Sequence, residues 1–406
     1  MKIMLAGSSG ALKRRRRQRL TVRSLPLLLC VATGLIGTSV EAASGKPRST
    51  AAATVARSSP AAAAQPSAGL SYQNRSDVVA FAADVAARTS LPLEWLTLEL
   101  SKARRNEAVR RLIAPPPAGT AKNWAAYRAR FVEPQRIAAG LAFWRANESW
   151  LALAEQRHGV PAEIVVGIVG VETYYGRITG NFRVLDALAT LAFDYPVERS
   201  TARKDRSDFF RSELEAFFVM CAREGLDPQS VQGSYAGAMG LPQFMPSSIN
   251  NHAVDFDGDG HIDLQRSTAD VIGSVAHYLA QYGWQRGVPT HFAVAAPVDS
   301  SDRAALLGPD ILPSFSGAQF GSRGAVLAVE GQRFDSLLAL VELQNGDLAP
   351  SFVAGTGNFY AVTRYNRSSY YALAVIELGQ AVARARAGAQ AAASGAAAAS
   401  AAPATR

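Results

Sequence analysis

The run from Ala162 to Gly176 constrains this chain more than any other segment, because it is apolar at almost every position yet carries one late acid, Glu172. The spacing predicts a helix in which Ile164, Ile168 and Glu172 fall at i, i+4 and i+8, so the acid shares a stripe with branched aliphatics. A carboxylate on a buried stripe must be paired or must hold its proton. Gly176 is the expected C-cap, which would place Glu172 near the negative end of the helix dipole and favour the protonated form further. A carboxylic acid kept neutral near pH 7 can act as a general acid. The competing reading is a structural acid, with Arg177 close enough in sequence to pair with it.

The overall net charge of +9 is misleading, because residues 1–43 alone carry +7 and the remainder holds 34 basic against 32 acidic residues. No nucleic-acid footprint therefore remains in the body of the chain. The basic start, the apolar stretch from Leu25 to Ile36 and the small residues around Val40–Ala43 have the shape of a secretory signal, with an uncleaved anchor as the alternative. Cys30 lies in that stretch, which leaves Cys221 alone and rules out an internal disulfide in an exported product. Stability must come from the core, and a hydrophobic fraction of 48% supplies one.

Residues 44–69 are rich in Ala, Ser and Pro and read as a disordered linker, as does the Ala-rich tail 385–406. Between them the pattern is α+β but predominantly α. A helical front domain, 70–150, contains helical spacing at Asp77–Arg88, Leu93–Ile113 and from Pro134 on to His158, with a break at Pro115–Pro117. Residues 151–289 form a mostly helical core with the Glu172 helix, a helix near Asp205–Glu224 and another at Asp270–Tyr282. Short runs such as Phe292–Val294 and Ala325–Val329 predict strands in a small β-containing insert, 290–350. The segment 351–384 returns to the core with a helix near Tyr370–Ala383.

Three further segments carry candidate chemistry. In Ser234–Pro246, small residues at 236, 237, 238 and 240 let backbone approach a partner while Gln243 offers a donor and acceptors, which suits a flat polar ligand such as a sugar. A tight loop packed under the core reads equally well. In Asp255–Asp263, the acids Asp255, Asp257 and Asp259 take positions 1, 3 and 5 of a calcium loop, with Gly260 at 6 and the carbonyl of His261 at 7. Arg266 stands at position 12 in place of a bidentate Glu, so Asp270 is the expected closing carboxylate and a structural ion of modest affinity the expected outcome. Asn358–Asn366 is dense in aromatic and amide groups that could wall a carbohydrate groove, or could be a capped helix start with core aromatics. Serine-hydrolase elbows, zinc-protease helices and phosphate-cradling loops are all missing, and the histidines, His158, His252 and His277 among them, sit singly.

Taken in order, these four segments resemble the lytic murein transglycosylase B family, periplasmic enzymes that cleave the glycan of peptidoglycan. The resemblance spans residues 75–383 and is strongest at Gly167–Thr173, Leu185–Leu191, Gly237–Ser248 and Asn358–Asn366. It implies a goose-type-lysozyme-like catalytic core with a calcium loop, a helical domain and a small β-containing domain. It also implies that Glu172 is the catalytic acid, that Ser234, Gln243, Asn358 and Tyr365 contact glycan, and that Asp255, Asp257, Asp259, His261 and Asp270 hold the ion. Tyr175, just beyond the Glu172 helix, is a further expected sugar contact. No cofactor is then required for the chemistry. Glycan strands are the expected partner, wall-synthesis enzymes a second, with no membrane span in the mature chain. A lysozyme-like hydrolase would instead need a second acid, for which Asp186 and Glu213 are candidates, and a wall-binding protein with a dead catalytic fold would need none.

Overall fold

The computed structural model describes residues 70–114, 122–196 and 205–400. The expected leader, the whole of the expected linker 44–69, Pro115–Pro117 and the last six residues of the expected tail lie outside the described residues. The front section contains α1 (Ser76–Arg88), α2 (Leu93–Lys102), α3 (Glu107–Leu112), α4 (Trp124–Ala129), α5 (Pro134–Ala146) and α6 (Glu148–His158). There follow α7 (Ala162–Thr173), β1 (Phe182–Arg183), α8 (Val184–Phe193), α9 (Ser207–Glu224), β2 (Gln232–Gly233), α10 (Pro246–His252) and α11 (Thr268–Gln281). The β-containing part is β3 (His291–Ala295), α12 (Ser300–Leu307), α13 (Gly317–Ser322), β4 (Val326–Leu327), α14 (Val329–Gln332), β5 (Ala339–Asn345) and β6 (Leu348–Gly355). The described chain closes with α15 (Gly357–Tyr365) and α16 (Ser369–Ser400).

Two stretches expected to be continuous helix are each broken by an asparagine that satisfies backbone groups. Asn106 accepts from the Ala108 and Val109 amides and starts α3 afresh. Asn147 divides α5 from α6, donating to the Phe143 carbonyl at 2.8 Å and accepting from Thr268 Oγ1.

Helix α7 is the centre of the molecule. Every residue in it except Glu163 is buried, so the apolar stripe expected from the sequence is in fact a helix apolar all round, which is how a fully interior helix reads. Its closest neighbour is α16, and the approach is tight because a Cβ at Gly167 would stand 2.2 Å from the Val375 carbonyl oxygen. Helix α16 does not stop near Ala383 but runs on to Ser400, through residues expected to be disordered. Alanine has the highest helix propensity, and a helix already nucleated in the core can propagate into an Ala-rich tail.

The insert holds an antiparallel sheet of order β4-β3-β6-β5. It has a small core of its own, including Leu306, Phe320, Leu327, Leu338 and Leu340. The sheet reaches Gly355, five residues past the expected limit, and only Val326 and Leu327 of the Ala325–Val329 run are strand, because Val329 begins α14. The architecture is thus mainly helical with small antiparallel sheets, and the short β1–β2 ribbon pairs Phe182 with Gly233 and Arg183 with Gln232 beside the end of α7. Among the described residues no helix is long and apolar enough to cross a membrane.

Candidate active site

Glu172 sits in the last turn of α7 and is 7% exposed. The helix ends two residues earlier than its glycine suggests: Tyr174 takes the left-handed C-cap at φ 53°, followed by Tyr175 at 57° and Gly176 at 87°. Among the described residues no cation contributes to the state of the carboxylate. Arg177, the partner that a purely structural reading required, stacks on the Tyr174 ring at 4.7 Å. Burial pushes the Glu172 carboxyl up to about 7, and the hydrogen bond that Tyr371 donates to Oε1, at 2.6 Å, opposes that rise. The acid is therefore balanced between its two protonation states at neutral pH, which suits a group that must both give and accept a proton.

Glu172 opens on a narrow cleft lined by Gln243, Phe244, Met245, Ser248, Tyr278, Tyr365 and Asn366. Gln243 is aimed by its own strained backbone, at φ 51°, and its Nε2 donates to the carbonyls of Thr179 and Gly240. The amide's acceptor oxygen is what remains for a ligand. Tyr365 donates to the Pro242 carbonyl at 2.6 Å, and its ring stacks on Tyr371, with centroids 6.3 Å apart. Gly240 is fixed by space, since a Cβ there would lie 2.5 Å from the Leu264 carbonyl oxygen.

Other expected contacts are placed elsewhere. Asn358 is fully buried and its side chain is consumed by backbone, accepting from the Gln285 amide and donating to the carbonyls of Gln285 and Val288. The capped-helix reading of that segment is the right one at its start, and Asn366 at its far end is the amide that lines the cleft. Ser234 uses Oγ to accept from the Ala236 and Ala238 amides, so it shapes the turn that carries Gln243. The Tyr175 hydroxyl is buried between α5 and α7, where Cβ atoms at Gly140 or Gly170 would meet it at 2.3 and 2.5 Å. It packs against Phe143 and does not belong to the cleft.

The two alternative acids are both engaged structurally. Asp186 accepts from the Arg183 guanidinium at 2.6 and 2.9 Å and from the Arg104 amide at 2.7 Å. Glu213 accepts from the amide and hydroxyl of Ser247 at the start of α10. Glu172 is the one carboxylate among the described residues that line the cleft.

Tyr371 escaped the sequence reading because it stands in the first turn of α16, where its apolar neighbours make it look like core. The predicted consequence of Tyr371→Phe follows from its hydrogen bond, which favours the ionised acid. Removing it raises the Glu172 pKa, and a hydrogen bond to a charged group is worth enough to move it by about one unit. The falling alkaline limb of kcat/KM should shift upward by that amount while the peak rate drops, which a pH-rate profile reads directly.

In the acidic loop, carboxylate oxygens of Asp255, Asp257 and Asp259 lie within 4.8 Å of one another. Asp255 accepts from the Gly258, Asp259 and Gly260 amides, and these bonds hold its carboxyl below the usual range. Three converging carboxylates are the hard oxygen donors that a calcium-type ion takes. Asp270 is not with them. Its two oxygens accept from the Phe256 and Asp263 amides at 2.8 and 2.9 Å, so it braces the loop from inside.

A lone acid poised near neutrality, beneath an aromatic and amide-lined cleft with no second carboxylate among the described lining residues, is the arrangement that an enzyme cleaving glycan without a second acid would need. Residues 73–380 match the Transglycosylase SLT domain family. The chain is 42% identical over 296 residues to the membrane-bound lytic murein transglycosylase B of Escherichia coli (strain K12), covering 71% of this chain and 77% of that one. The soluble lytic transglycosylase SltB1 of Pseudomonas aeruginosa superposes with a TM-score of 0.68 at 39% identity, over 77% of this chain and 99% of that one. The Escherichia coli lytic transglycosylase Slt35 in complex with calcium gives 0.67 at 37% identity, over 79% and 96%. The chain belongs to the lytic transglycosylase family with the SLT domain, enzymes that cleave peptidoglycan.

Proposed function

We propose that Glu172 carries the whole proton traffic of a non-hydrolytic cut at the β-1,4 bond between N-acetylmuramic acid and N-acetylglucosamine. The single observation behind this is a protonatable carboxyl, with no cation paired to it and no other acid lining its cleft among the described residues. Protonated Glu172 donates to the bridging oxygen, and the bond from that oxygen to the muramyl anomeric carbon breaks. The 4-hydroxyl of the departing N-acetylglucosamine keeps that proton. The substrate's acetamido group stabilises the positive charge left on the anomeric carbon. The muramyl 6-hydroxyl then attacks the same carbon and returns its proton to Glu172, closing a 1,6-anhydro ring. Because that hydroxyl is tethered, its effective concentration replaces the water that a second carboxylate would activate. Gln243, Tyr365 and Asn366 orient the sugar.

Digestion of purified sacculi tests this. Soluble products should be one water lighter than reducing-end muropeptides; reducing ends alone would establish the hydrolase instead.

The acidic loop is assigned a structural calcium ion, supported by the calcium complex of Slt35. Asp255, Asp257 and Asp259 with the His261 carbonyl would hold it, and it would brace the loop against α11 without entering the reaction. At ten times its Kd, calcium should raise stability by about 1.4 kcal/mol. Thermal melts with and without calcium check this, and Asp257→Asn should remove the response. Export to the periplasm, by a leader of the kind residues 1–43 resemble, agrees with a wall substrate.

A further inference from the structure

A second cavity, of about 960 Å3, opens between the front helices and the β1–β2 ribbon, lined by Arg104, Arg105, Arg111 and Arg183 together with Glu107 and Asp186. Both acids are already committed. Asp186 is paired with Arg183, and Glu107 with Arg105 and Arg110. The Arg104 guanidinium donates only to neutral oxygens, of Ser71, Ser101 and Ala103, and exposed Arg111 makes no ion pair among the described residues. Arg104 and Arg111 thus line the cavity with guanidinium groups that no carboxylate pairs among the described residues. A concave site with uncompensated positive charge collects anions, and planar guanidinium groups match carboxylates in particular. The cleft at Glu172 has the opposite character, with no cation lining it among the described residues.

The ribbon joins the two sites. At one end the Thr179 carbonyl holds Gln243 of the cleft, while Asn181, Phe182 and Arg183 a few residues on line the basic cavity. On the facing strand Gln232 lines the cavity and Ser234, two residues later, forms the turn that carries Gln243. From Thr179 to Arg183 the backbone can span at most about 14 Å, a distance that a peptide of four residues also spans.

We propose that this cavity binds the carboxylates of the peptide stem that a muramyl residue carries on its lactyl group. The inference rests on the glycan-cleaving reading above. Sugars in the strand are neutral apart from their substituents, so a stem is the part of the substrate that presents several carboxylates. Arg111 and Arg104 would take these groups, with Asn181 and Gln232 offering amide donors.

The test compares soluble glycan strands bearing intact stems with the same strands stripped of stems by an amidase. Wild type should show kcat/KM about tenfold higher or more on stem-bearing strands. In Arg111→Glu, and in the double variant Arg104→Ala with Arg111→Ala, that ratio should fall toward one. Arg111 is exposed and unpaired among the described residues, so the single variant keeps the fold, and a thermal melt verifies it. High salt should lower the wild-type ratio and leave the variants' ratios alone. An unchanged ratio in Arg111→Glu overturns the proposal, and so does an equal loss on both substrates. Loss of sedimentation with phosphatidylglycerol vesicles at an unchanged ratio would assign the cavity to an anionic membrane surface instead. Anhydro ends released from stripped strands keep the glycan-cleaving reading intact whatever the ratio, whereas their absence from both substrates sinks that reading and this inference together.

Discussion

Glu172→Gln should lower release of soluble muropeptides from sacculi by about 10³-fold or more while leaving the fold in place. Glutamine keeps the shape of the side chain and can still accept the hydrogen bond that Tyr371 now makes to Oε1. What it cannot do is surrender a proton to the bridging oxygen or take one from the 6-hydroxyl. Both halves of the cut run through this one group, so the loss should appear in kcat more than in KM, with binding of glycan strands retained. Asp186 and Glu213 offer no rescue, because each is bound by its own partners away from the cleft. A variant that still produced anhydro ends at a tenth of the wild-type rate would show that another group moves the proton. A variant that produced reducing ends would show that water can enter where the tethered hydroxyl should act.

How much of this was legible beforehand depends on whether the signal was local. The burial of Glu172 could be read from its immediate neighbours, because a helix apolar on every side has nowhere to go but the interior. The acidic loop could be read for the same reason: Asp255, Asp257 and Asp259 are two residues apart, and their carboxylates converge through the turn itself. The environment of Glu172 was harder. Tyr371 is 199 residues away along the chain, and only the packing of α16 on α7 brings its hydroxyl to the acid. Asn358 and Asn366 stand at opposite ends of α15 in the same segment, and sequence offers no means of choosing between two asparagines. The structure chooses by partners, since backbone groups around Gln285 and Val288 consume the first. Asp270 misled in a similar way, since an acid at roughly the right spacing was turned inward to hold two loop amides. The long extension of α16 was missed because composition alone does not distinguish an Ala-rich disordered tail from an Ala-rich helix that starts in a core.

The raised carboxyl of Glu172 also has a thermodynamic signature that can be measured without substrate. In the unfolded chain this group titrates near 4.5, and in the folded protein burial moves it to about 7. Below the lower value it is protonated in both states and contributes nothing to the pH dependence. Between the two values the folded protein binds more protons than the unfolded chain, so stability falls as pH rises, and the loss is complete above about pH 7. A shift of this size corresponds to roughly 3 kcal/mol. Glu163 and Glu213, which burial also raises, titrate in the wild type and in Glu172→Gln alike and so cancel in the comparison. The amide side chain leaves one donor unpaired, but that cost is the same at every pH. Urea unfolding of the two proteins from pH 4 to pH 8 should therefore give curves that separate, with Glu172→Gln gaining about 3 kcal/mol over the wild type across the range. Parallel curves would mean that position 172 ionises freely in the folded state, and an acid that is already ionised at pH 7 has no proton to begin the reaction with.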